Sequence, residues 1–472
     1  MPNYISTRGA SAIVDSASAV LDCYAADGGL YVPEQLPKLD YADMLGLDYA
    51  ARVDRALRAF FDFDVGGIAD KVFEDFDPAP TVKIDDNAFF LELWHGKSCS
   101  SKDMALSVLP GLIERAKAAK GETYKTLIIS SSGELGAAAV QHIENAQGKD
   151  IRLCVFYPHG ATSELVRREL SAAKSETAVV GVSADGDKVR AEVKACHFDS
   201  GLTAALKENN IKLSAADGAN IAVIAPQTAY FFSAYCDLVN SDEIKLGAKI
   251  DFVLPSDDLG GVIAGYYAYK MGLPINKLVT VSSREFADFI NSGVFDITAA
   301  TDVCLYDIER LIFDLSGNDT ALTASRMNGL ADKGRFSVTE GEVNVLHNVF
   351  AGDVIDGEDA QNAIEYMFDE YGYLVDACTA YACASANARE FVRPTVVVSV
   401  ADPYMTAAEV MTALGERLPS DQVKLFDNME ELTACAPPER LKSILTLKPN
   451  ATPPVPPSDI IPYLIEQVIN KK

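Results

Sequence analysis

A chain of 472 residues exceeds what one simple hydrophobic core holds and predicts two or three packed domains. Its 49 % apolar content is ordinary core material for a soluble globular protein, and no run of roughly eighteen or more uncharged apolar residues is present to cross a membrane. The formal charge of −27 repels phosphate backbones and anionic bilayers, which argues against nucleic acid and membrane as partners.

Residues 1–8 lack the basic-then-apolar order of a signal peptide. Up to about residue 80, polar turns alternate with helical patterns, and apolar spacing predicts helices over 40–45 and 49–61. The turn Asp27-Gly28-Gly29 precedes a short extended piece ended by Pro33. From Phe89 onward the period changes. Short β-rich runs at 126–129, 152–156, 178–180, 252–254 and 278–281 alternate with helical stretches of about ten to fifteen residues. That alternation implies crossover units and a mainly parallel sheet, hence an α/β fold with a mixed N-terminal portion. An apolar helix is expected over 104–113, and the β-branched run 395–400 reads as a buried central strand. Pro453-Pro454-Val455-Pro456-Pro457 reads as an extended strap before a short C-terminal helix. Nine cysteines at irregular spacing read as reduced thiols of a cytoplasmic protein. No pair has zinc-ligand spacing, and Cys378 and Cys383 read as small core residues.

Three stretches could carry chemistry. The first follows the run 127–130: Ser131-Ser132-Gly133-Glu134-Leu135-Gly136, then a helical alanine run. Small residues at a helix start leave backbone N–H groups available to an anion. The second follows 252–255: Ser256-Asp257-Asp258-Leu259-Gly260-Gly261, leading into a helix over 262–271. Either turn also suits a helix packed closely on a strand. The third is Trp94-His95-Gly96-Lys97-Ser98-Cys99-Ser100-Ser101-Lys102-Asp103-Met104-Ala105. A lysine at a helix start facing a cleft, desolvated and beside a positive helix end, suits Schiff-base chemistry. The alternative is a solvated lysine.

Several ordered segments together resemble the threonine synthase family. Tyr4-Ile5-Ser6-Thr7-Arg8-Gly9 and Asp27-Gly28-Gly29-Leu30-Tyr31-Val32-Pro33 look like its N-terminal signature. His95-Gly96 with Lys102-Asp103 is similar to the family's His-Gly-Pro-Thr-x-x-Phe-Lys-Asp segment, whose lysine carries pyridoxal 5'-phosphate (PLP). Ser132-Gly133-Glu134-Leu135-Gly136 resembles Ser-Gly-Asp-Thr-Gly, and residues 227–232 resemble Gln-x-x-Tyr-Tyr-Phe. Gly265-Tyr266-Tyr267-Ala268, Glu309-Arg310-Leu311 and Asp376 with Thr379-Ala380 follow in family order. The resemblance implies a PLP enzyme of fold type II, related to the tryptophan synthase β subunit. It implies an N-terminal family domain over 1–85, a large PLP-binding domain from 86–125 and 215–450, a small α/β domain over 126–214, and a strap with a C-terminal helix over 451–472. The implied reaction is that of a lyase of threonine biosynthesis, converting O-phospho-L-homoserine and water to L-threonine and phosphate. Lys102 would be the catalytic, cofactor-bearing lysine, Ser256, Gly260 and Gly261 would hold the PLP phosphate, and Thr379 would face the pyridine nitrogen. Ser132, Gly133 and Glu134 would hold the amino-acid substrate, with a monomer or homodimer as the assembly.

Departures from the pattern gather at the same places. His-Gly-Pro-Thr reads His95-Gly96-Lys97-Ser98, the phenylalanine before the lysine is Ser101, and a family arginine is replaced by Val223. A late His-Pro-Ala-Lys pattern reads Asp402-Pro403-Tyr404-Met405, and Ser-Ser-Asn reads Leu305-Tyr306-Asp307. The phosphate loop, Thr-Gly-Asn-Phe-Gly-Asn in the family, has acquired Asp257 and Asp258. A helix N-terminus contributes roughly 0.3–2 kcal/mol to an anion, whereas a carboxylate ~4 Å from a phosphate charge costs about 4 kcal/mol at an effective dielectric of 20. An inward aspartate therefore defeats PLP binding, and an outward one leaves it to Gly260 and Gly261. Lys97 is a candidate compensating charge, with a solvated lysine as its alternative. Two readings follow: a threonine synthase-like lyase, or a non-catalytic or substrate-shifted homologue with impaired phosphate binding.

Overall fold

The computed structural model describes residues 2–9, 11–74, 76, 78–144, 150–255, 259–281, 284–298, 305–449 and 452–469. Strands β1 (Asn3–Ser6), β2 (Val14–Asp15) and β3 (Tyr31–Pro33) form a small antiparallel sheet in the order β2-β1-β3. Next come β4 (Thr81–Asp85) and β5 (Ala88–Glu92), an antiparallel pair. The chain then builds a separate parallel sheet from β6 (Lys125–Ser130), β7 (Ile151–Pro158), β8 (Ala178–Val182) and β9 (Ile211–Ala215), ordered β8-β7-β6-β9. It returns through β10 (Ile250–Pro255) and β11 (Ile275–Val281), pairs β12 (Val294–Asp296) with β13 (Arg335–Ser337), and adds β14 (Phe350–Asp353) and β15 (Thr395–Ser399). The larger sheet runs β14-β11-β10-β15-β5-β4, parallel throughout except at β4.

The apolar runs in these strands follow from burial on both faces. In β10, Phe252 and Leu254 enter the main core while Val253 enters a second core on the other side of the sheet. In β15, Val396 and Val398 against Val397 make the same division. Every residue of β15 is buried, and the strand lies between β10 and β5 as expected for a central strand. The small sheet repeats the pattern: Ile128 faces the main core, and Leu127 and Ile129 face a third core shared with the C-terminal helix residues Ile460 and Leu464.

Helix boundaries follow capping. Asp48 accepts a hydrogen bond from Ala51 N (2.8 Å) and starts the helix Tyr49–Phe60. The helix expected over 40–45 is one tight turn, Tyr41–Met44, capped by Asp40. The helix expected over 104–113 is corrected: it divides into Asp103–Leu106 and Leu109–Lys120. Pro110 explains the division, since its ring would clash with the carbonyl of Leu106 in a continuous helix but fits the first turn of a new one. The proline-rich strap does run extended. Val455 N donates to Gly181 O (2.9 Å) and Ser183 N donates to Val455 O (2.9 Å), so the strap covers the outer edge of β8. Among the described residues no helix is long and apolar enough to cross a membrane, and no cluster of side chains suits a metal.

Candidate active site

A cavity of about 500 Å³ opens where the two parallel sheets face each other. Ser101 and Lys102 form one wall. Their segment hangs from the end of β15: Ser101 N donates to Val400 O (2.7 Å), and Asp402 N donates to Cys99 O (3.0 Å). Lys102 occupies the cap position of the short helix Asp103–Leu106. The next residue, Asp103, is fully buried and fixes the turn. Its carboxylate accepts from Ser98 N (2.9 and 3.1 Å) and from His142 Nε2, on the helix Gly133–Ile143. Gly96 leaves room for that carboxylate, since a Cβ there would lie 2.3 Å from Asp103 Oδ2. Asp103 therefore locks the lysine segment to the helix whose start forms the next wall.

That wall is the turn Ser132-Gly133-Glu134, all three lining the cavity. Ser132 is extended and makes no side-chain cap, so the first amides of an eleven-residue helix are directed at the turn. A Cβ on Gly133 would meet Thr162 Cγ2 at 2.6 Å, and Thr162 itself lines the cavity with Ser163. The opposite side is the start of the helix Leu259–Met271, represented by Leu259 and Gly260.

The fourth wall runs from Asp217 and Gly218 to Val223, Ile224 and Gln227 on the helix Ile221–Asn240. It is held from behind. Arg310 donates to Gly218 O and to Ala219 O (2.9 Å), and Asp217 Oδ1 accepts from Ala219 N (3.0 Å). Its neighbour Glu309 receives Thr7 Oγ1 (2.6 Å) and the Nε and Nη2 atoms of Arg8 (both 3.0 Å). The N-terminal signature and the Glu309-Arg310 pair are thus parts of one buttress. Gln227 Nε2 donates to Val223 O (2.9 Å), which fixes its amide within the wall.

Lys102, Ser132, Gly133, Glu134 and Gly260 line the cavity together. Ser256, with Asp257 and Asp258, lies outside the described residues. Gly261 is buried on the helix beginning at Leu259 but is not part of the lining. Thr379 is also outside the lining: its hydroxyl donates to Asp376 Oδ2 and accepts from Val400 N (3.1 Å). Lys97 is exposed and apart from the cavity. The structure adds Arg190, from the helix Gly186–Cys196, which sequence reasoning missed. A single arginine in an amphipathic helix reads as a solvated face, and no local signal marks it.

Burial dominates the electrostatics. It raises the Asp217 carboxyl above its usual range, against the lowering pull of Lys194, Arg310 and Arg190. On the helix Glu164–Leu170, burial also pushes Glu169 up to about 7 despite its ion pair with Arg440 (2.6 Å). PLP needs an amine, an anion cradle and room for an amino acid. Lys102, two glycine-bearing helix starts and a cavity within the size range of small-molecule sites supply these, so the described residues fit the group.

The family described as Threonine synthase N terminus matches residues 3–69. The chain is 28 % identical to the threonine synthase of Pseudomonas aeruginosa over 463 residues, covering 91 % of this chain and 95 % of that protein. Yeast threonine synthase superposes with a TM-score of 0.82 at 24 % identity, over 100 % of this chain and 99 % of that one. The PLP-bound threonine synthase of Brucella melitensis gives 0.80 at 24 % identity, over 98 % and 99 %. The fold is that of these enzymes.

Proposed function

We propose that this chain, which belongs to the threonine synthase family, is a PLP-dependent lyase that converts O-phospho-L-homoserine and water to L-threonine and phosphate. The observation that carries the reading is that Lys102 shares one cavity with the Ser132–Glu134 turn and with Gly260. We read that cavity as lying between a large unit (86–125 and 215–450) and a small one (126–214). When bound, PLP supplies an electron sink for carbanions beside the substrate amino group.

The chain's own residues divide the remaining work. Lys102 Nζ anchors the cofactor and moves protons at the substrate carbons. Asp103, held by Ser98 N and His142, keeps the lysine turn in place. The amides at the start of the helix Gly133–Ile143 hold the substrate carboxylate, and those around Gly260 take the cofactor phosphate. Leu106, Val223, Ile224 and Leu259 keep bulk water from the reacting carbons. We expect purified protein supplied with PLP to form equimolar threonine and phosphate from O-phospho-L-homoserine, and Lys102→Ala to form neither. Turnover that survives in Lys102→Ala overturns the assignment of this lysine.

A second reading, a substrate-shifted homologue, is favoured by Val223. An apolar side chain lines the cavity where the family pattern has a cation.

A further inference from the structure

The charges lining the cavity are few. Among the described residues they are the cations Lys102 and Arg190 and the carboxylates Glu134 and Asp217. On the reading above, Lys102 is committed to the cofactor. A substrate carrying a second anion at the end of its side chain then needs another cation, because the wall of Val223, Ile224 and Leu259 offers none. We propose that Arg190 binds that terminal phosphate and so sets the substrate class: an amino acid whose side chain ends in a dianion.

Arg190 sits near the middle of the helix Gly186–Cys196, which packs against β7 of the small sheet. The lysine wall hangs from β15 of the large sheet, so a substrate held at both places spans the two. The arginine side chain is 15 % exposed, and its Nη2 donates to Asp187 Oδ1 at 2.6 Å. Asp187 is 44 % exposed, so its carboxylate can return to water when a ligand takes the guanidinium. A guanidinium matches a phosphate through two parallel N–H···O bonds. Asp217 lines the same cavity, and burial raises its carboxyl above the usual range. The inference rests on the proposed function for the direction in which the substrate lies, and it supplies the cation that Val223 withdraws.

The test is calorimetric titration of the PLP-supplied protein with O-phospho-L-homoserine and with L-homoserine, in wild type, Arg190→Gln, Arg190→Lys and Asp187→Asn. The cofactor absorbance is recorded in each. We expect Arg190→Gln to weaken the phosphorylated ligand about tenfold or more, to leave L-homoserine unchanged, and to keep the cofactor band. Arg190→Lys should recover part of the loss. Asp187→Asn, which breaks the same ion pair but keeps the guanidinium, should not weaken the phosphorylated ligand. Selective weakening in Arg190→Gln without any cofactor band keeps the Arg190 assignment and removes the cofactor reading. Unchanged affinity in Arg190→Gln, or equal losses for both ligands, overturns the assignment. A wild type that ignores the phosphorylated ligand overturns it as well.

Discussion

At Glu169 burial and pairing act in opposite directions. Desolvation raises the carboxyl, Arg440 lowers it, and burial wins, leaving it at about 7 against an ordinary 4.5. Because the folded state holds this proton more tightly, the stability it lends is complete below about 4.5 and is lost as pH rises through about 7. Glu169→Gln removes that dependence. We expect the variant's stability relative to wild type to rise by up to about 3 kcal/mol between pH 4.5 and pH 8, measured by urea unfolding. A difference that stays flat over this window contradicts the burial argument. At the same scale, Lys102 and the Ser132-Gly133 turn were legible because lysine beside aspartate and small residues after a strand are local patterns. Arg190 was not, because its position depends on how one sheet faces another, which no window of sequence records. Thr379 was legible as a motif member, yet its hydroxyl is engaged by Asp376 and Val400 outside the cavity lining.

Among the elements, the buttress formed by Thr7, Arg8, Glu309 and Arg310 joins residues some three hundred positions apart. The sequence presents these as two unrelated segments. Only the fold shows that one neutralises a buried carboxylate while the other holds the turn at Asp217. Glu309 is 1 % exposed, so Arg8→Ala would strand its charge. We expect a loss of about 3 kcal/mol in unfolding free energy, as for other buried pairs that lose one partner. A loss within the range of exposed pairs, about 0–1 kcal/mol, would mean that water reaches Glu309. Strands with dense β-branched residues, such as β8, β11 and β15, were readable from composition. β9 and β14 were not singled out, because Ile211–Ala215 and Phe350–Asp353 are short and owe their extended form to neighbouring strands. The break before Leu109 was missed because apolar spacing continues across Pro110 while the backbone cannot.

Across the whole molecule, the alternation of strands and helices was enough to give a mainly parallel α/β architecture. The division into two sheets was not legible from alternation. It arises because the chain leaves the larger sheet after β5, completes β6 to β9, and returns to pair β10 with β15. That excursion creates the cavity, and it brings Lys102, the Ser132 turn, Gly260 and Arg190 to one place. A net charge of −27 repels anions on average, so the cofactor phosphate and the proposed anionic substrate would require such a local concentration of amides and cations. The central claim is that Lys102 carries PLP in that cavity. Its most direct test is the visible absorbance spectrum of wild type and Lys102→Ala, each titrated with PLP. We expect a yellow band that saturates with wild type and is absent from Lys102→Ala. A wild type that stays colourless in excess PLP, or a band that persists without Lys102, would contradict it.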